Sequence, residues 1–72
     1  MQEHEFGKIL RYERKKRNIT QAKLAEMTGF TVRAISFWET GKREINIRNA
    51  DIVAKALGIS VIIGIQEHED SK

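Results

Sequence analysis

QAKLAEMTGFTVRAISFWETGKR, running from Gln21 to Arg43, is the stretch whose spacing decides the fold. Thr20, just before it, is an N-cap residue whose hydroxyl oxygen suits a free helical N–H. A helix is therefore expected from Gln21 to Thr28, ended by Gly29, which enters left-handed backbone without a Cβ clash. Position 23 is Lys where a reciprocal capping box has Glu, so this cap has one half only. Thr31 then caps a second helix, Val32 to Thr40, closed by Gly41. Only Gly29-Phe30-Thr31 separates the two. Leu24, Ala25, Ile35 and Trp38 are expected to point inward, with Ala25 small enough for the helices to cross closely. Val32, Arg33, Ser36 and Phe37 fall on the opposite face of the second helix, free to meet a surface.

Upstream of this pair, Phe6, Ile9, Leu10 and then Glu13/Arg14 follow helical spacing from about Glu5 to Arg17. The basic run Arg14-Lys15-Lys16-Arg17 suits a helix C-terminus, and Asn18 follows it. Downstream, Asn46 caps a helix from Ile47 to Leu57 that Gly58 closes, with Ala50, Val53, Ala54 and Leu57 as its apolar stripe. The chain has no Pro, so Gly and cap residues supply all the punctuation. Four short helices in succession make an all-α unit. The tail differs. Ile59-Ser60-Val61-Ile62-Ile63-Gly64-Ile65-Gln66 is rich in β-branched residues, and Ile59, Val61, Ile63 and Ile65 line one face at period two, as in a strand. The expected organisation is a helical domain over 1–60, then a strand and polar tail over 61–72.

The chain has 72 residues, room for one small domain. A domain this small buries only about 60–65% of its unfolded surface, which makes a deep water-free active site hard to build. With no Cys there is no disulfide and no thiolate metal site, and the chain fits a reducing compartment. No apolar run approaches the roughly 18 residues of a membrane span. Met1-Gln2-Glu3-His4-Glu5 lacks a basic-then-apolar signal pattern. A soluble cytoplasmic domain is expected, with no membrane partner. The net charge is +3, but it is unevenly placed: Lys8 to Arg48 holds 11 basic residues against 4 acidic, or +7. A basic middle of this kind suits a polyanion such as nucleic acid; the alternative is a merely solvated charged surface.

Chemistry-bearing motifs are missing. Gly7-Lys8 and Gly41-Lys42 are isolated pairs without phosphate-loop spacing, and no GxGxxG occurs. His4 and His68 stand near the two ends beside Glu3, Glu5, Glu67, Glu69 and Asp70, a pattern of solvated termini more than of metal ligands. Ser36 and Ser60 have no neighbouring base in sequence. The expectation is a non-enzyme with no cofactor, no metal and no small-molecule substrate.

Two short helices joined by a tight Gly-containing turn form the helix-turn-helix arrangement, whose second helix lies in the DNA major groove. The residues also carry a family resemblance. QAKLAEMTGFTVRAISFWETGKR followed by ADIVAKALGIS resembles the Cro/C1-type (XRE-type) helix-turn-helix proteins, which include phage repressors and many bacterial regulators. It covers roughly Gly7 to Ser60 and includes the Gln-Ala-x-Leu-Ala opening, Gly29, the Ile35-x-x-Trp38-Glu39-x-Gly41-Lys42 run and the Ala56-Leu57-Gly58 closure. The resemblance implies a lambda-repressor-like all-α fold of four to five short helices that binds double-stranded DNA at the nucleoid. It implies base or adjoining-backbone contact by Gln21, Val32, Arg33, Ser36 and Phe37, and phosphate contact by Thr20, Thr31, Thr40, Lys42 and Arg43. It further implies an ion pair of mainly structural role between Arg14 and Glu39. Ile45-Asn46 stands where the family usually has Pro, and Glu13 where it usually has an apolar residue.

Val32 and Phe37 are apolar for recognition positions and point to contact with thymine methyls. For Phe37 the alternative is packing under the last helix. Trp38 is read as core, whereas Arg33 has the reach to bridge a guanine edge or a phosphate. In the tail, a lone strand leaves backbone groups unpaired, and Val61, Ile62, Ile63 and Ile65 are expected to pair with a second copy about a two-fold axis. A fifth helix, or pairing to Gln2–Phe6, are the alternatives. The strand resembles that of antitoxins in the same family. Two functions follow: a dimeric repressor on a palindromic operator, or an antitoxin that neutralises a protein partner (a toxin) and binds DNA for autoregulation.

Overall fold

In a computed structural model that describes residues 3–59, the chain forms α1 (Glu3–Lys16), α2 (Gln21–Thr28), α3 (Val32–Thr40) and α4 (Ile47–Leu57). The last three match the expected spans; α1 begins two residues earlier and ends one earlier, within the usual fraying of a helix end. Each start after α1 has a built cap. Thr20 Oγ1 accepts from the Lys23 N–H, Thr31 Oγ1 from the Ala34 N–H, and Asn46 Oδ1 from the Asn49 N–H. Asn46 thus starts α4 without the usual proline.

The helix ends are equally specific. Asn18 takes φ 59°, and paired bonds from Asn18 N–H to Lys15 O and from Ile19 N–H to Arg14 O close α1. Asn is among the few non-glycine residues that tolerate this region. Gly41 and Gly58 close α3 and α4 with the same paired pattern, while Gly29 uses a single bond to Ala25 O.

Phe6, Leu10, Leu24, Ile35, Trp38, Ala50, Val53 and Leu57 form one core cluster. Every helix contributes to it, so no pair of helices would bury its apolar face alone. Ala25 is half-buried and packs against the cluster. Phe30 comes from the turn itself and meets Trp38 edge-on, with centroids 5.1 Å apart at 88°. Ile45 packs in from the loop between α3 and α4.

Gly7 places a steric constraint on this packing. It is buried in the middle of α1, and a Cβ there would stand 2.0 Å from the Trp38 carbonyl oxygen. A close approach of backbones therefore lies between α1 and the end of α3. Glu3–Phe6 is helical, so it is not an extended partner for the tail. The expected strand with Val61, Ile62, Ile63 and Ile65, its fifth-helix alternative and the 60/61 boundary lie outside the described residues. Among the described residues no helix is long and apolar enough to cross a membrane.

Candidate nucleic-acid interface

The side chain that organises this surface is Glu39. It is buried on α3, and its two carboxylate oxygens receive three hydrogen bonds. Arg14 Nε donates to Oε2 at 2.7 Å and Nη2 donates to Oε1 at 2.9 Å. Gln21 Nε2 donates to Oε1 at 3.0 Å. Arg14 has a third use: Nη1 donates to the Ile19 carbonyl at 2.7 Å, just before α2 begins. One bidentate pair, with Gln21 added, thus ties the end of α1, the loop into α2, the first residue of α2 and the last turn of α3. No buried side-chain polar atom among the described residues lacks a partner. A pair this enclosed is stable because its donors and acceptors are matched.

That network sets how α3 is presented. Val32 and Arg33 are exposed in its first turn, with Val32 retaining 43% of its surface. Ser36 and Phe37 are half-buried rather than fully free. Phe37 is covered by guanidinium groups: the Arg33 Cζ lies 5.2 Å from its ring centroid and the Arg43 Cζ 6.0 Å. It is not among the hydrophobics packed around the core. A shallow concavity lined by Thr31, Arg33, Ala34, Phe37, Trp38 and Arg43 opens here.

Thr20 and Thr31 are exposed at the starts of α2 and α3, where free backbone N–H groups favour anions. Their hydroxyls already accept cap bonds, and the hydroxyl hydrogen remains to donate outward. The Thr40 hydroxyl, in contrast, donates to the Ser36 carbonyl at 2.9 Å. Lys42 and Arg43 are exposed just past α3, their backbone N–H groups held by the Phe37 carbonyl at 2.9 and 3.3 Å. Gln21 is half-buried, its amide nitrogen committed to Glu39.

Glu13, in place of an apolar residue, pairs with Arg17 one turn later. A second basic face runs along α1, where Lys8, Arg11, Lys15 and Lys16 surround the 64%-exposed Tyr12. Lys16 Nζ sits 5.7 Å from that ring. No group of three or more potential metal ligands occurs among the described residues.

Sequence reasoning missed Gly7, the Phe30–Trp38 contact and the Gln21–Glu39 bond. Gly7 had a signal, since a Gly inside a helical pattern costs about 1 kcal/mol against Ala and usually marks a close approach. The other two depend on packing between distant positions and left no local pattern.

A family model described as helix-turn-helix matches residues 10–62, which is 53 of the 72. Searches of curated proteins and of solved structures find no match. The matched span contains α2, the turn and α3 together with the Arg14–Glu39 pair. The arrangement is that of a regulator which binds double-stranded DNA. The chain belongs to the helix-turn-helix family, as an XRE-type DNA-binding transcription regulator.

Proposed function

We propose that the protein is a dimeric repressor that reads a palindromic operator with α3 and acts at the nucleoid by occluding a promoter. The observation that carries this reading is the outward side of α3. Its first turn exposes Val32 and Arg33, flanked by the capped starts of α2 and α3 and by Lys42 and Arg43. An apolar residue and a bidentate donor side by side suit a thymine methyl and a guanine edge. Helix N-termini and loop cations suit the phosphates on either side and fix register.

Residues 1–60 serve as the DNA-binding unit in this reading, and 61–72 pair two copies through Val61, Ile62, Ile63 and Ile65. The support for pairing is the period-two apolar pattern of the tail. A two-fold dimer would set the two α3 helices about 34 Å apart, one turn of DNA.

Selection of sites from random duplex DNA, at about 150 mM salt, tests the proposal. The expected result is a palindrome with half-sites about one turn apart. Salt-sensitive binding to every sequence, with no enriched motif, would overturn the operator and move the function toward neutralising a protein partner.

A further inference from the structure

Two cations reach the Phe37 ring from different pieces of backbone. Arg33 comes from one turn earlier on α3, and Arg43 from the loop beyond its end. That loop is bonded to Phe37 itself, since Lys42 and Arg43 both donate their backbone N–H to its carbonyl. Both guanidinium carbons lie within the roughly 6 Å over which a ring quadrupole attracts a cation. Neither arginine has a carboxylate partner among the described residues. Phe37 is also absent from the core cluster and from the hydrophobics packed on it.

A cation–π contact is electrostatic and leaves N–H donors of the guanidinium available for a base edge or a phosphate. A free arginine loses rotamer freedom when it binds, whereas one already held against a ring loses less. We infer that Phe37 is a positioning residue: its ring aims Arg33 at base edges and Arg43 at the flanking backbone, in place of reading a thymine methyl itself. The inference rests on the DNA-binding reading above and specifies which side chain sets two of its contacts.

The test is a double-mutant cycle on the full chain, with the duplex selected by the wild-type protein as probe. Phe37→Leu is expected to weaken binding about five- to thirty-fold, because two arginines must then lose more rotamer freedom on binding, and to flatten base preference. Phe37→Tyr, which keeps the ring, restores binding to within about twofold. In an Arg33→Ala/Arg43→Ala background, Phe37→Leu should cost less than about twofold, because nothing remains for the ring to hold. Replacing each thymine of the half-site by deoxyuridine removes the methyl offered to Val32 and should leave the Phe37→Leu loss unchanged. An equal loss from Phe37→Leu with and without the arginines overturns the inference, as does a deoxyuridine duplex on which Phe37→Leu no longer weakens binding.

A measurement without DNA separates this inference from the operator. Ring-current shifts of the Arg33 and Arg43 side-chain protons are expected in the free protein and should vanish in Phe37→Leu. Their absence from the wild type overturns the positioning role even if an operator is found. Their presence with no selected duplex overturns the operator, and with it the assignment of these arginines to DNA.

Discussion

Removing the Arg14 guanidinium strands the Glu39 carboxylate, whose side chain has no solvent exposure, with Gln21 as its remaining side-chain donor. Arg14→Ala is therefore expected to lower stability by about 3–5 kcal/mol, measured by urea unfolding. Replacing Arg14 and Glu39 together by apolar residues of similar volume should cost far less, because desolvated charge dominates the loss. Arg33 belongs to a different class. It is exposed, so Arg33→Ala should shift stability by no more than its one cation–π contact, about 0.5–1 kcal/mol, while relaxing base preference by about 1–3 kcal/mol. A uniform loss over all sequences in a binding-site selection would instead place it on phosphate. The pairing of Arg14 with Glu39 was legible through family resemblance. The third partner, Gln21, was not, because it lies 18 residues from Glu39 and only helix packing brings them together.

The helices themselves were legible because their signals are local. An N-cap needs one side-chain oxygen within three residues, and a C-cap needs one residue able to adopt positive φ. Thr20, Thr31 and Asn46 at the starts, and Gly29, Gly41 and Gly58 at the ends, all satisfy this. Two glycines show how different the constraints behind one residue type are. At Gly29 the constraint is conformational: φ is 85° and no atom lies within 4 Å of an added Cβ. Gly29→Ala should thus cost only the left-handed penalty, about 1–2 kcal/mol. At Gly7 the constraint is steric, because the Trp38 carbonyl stands where the Cβ would go. Alanine there gains about 1 kcal/mol of helix propensity yet must push α1 off α3, for a net loss of about 1–3 kcal/mol. Thermal unfolding of both variants with chemical-shift mapping distinguishes them. Gly7→Ala should disturb α3 and the core, and Gly29→Ala only the turn.

Across the molecule, the proposed function rests on charge and on pairing of two copies. If each dimer neutralises about 6–10 phosphates, affinity should fall about 10³–10⁵-fold between 50 and 200 mM salt. A flat salt response in a titration would exclude that many backbone contacts. Ile63→Lys places a charge on the apolar face of the proposed pairing strand and should yield monomers on sedimentation; an unchanged dimer would remove the strand from the interface. Fold class, helix boundaries and the placing of the turn came from the chain alone, because caps, glycines and apolar spacing act within a few residues of where they sit. So did the basic middle and the family. Three features required the helices to be docked: the backbone contact at Gly7, the enclosure of Glu39 by Arg14 and Gln21, and the convergence of Arg33 and Arg43 on Phe37. Each joins residues whose distance is set by how helices and their connecting loops pack, and packing is a property of the whole core rather than of any short stretch of chain.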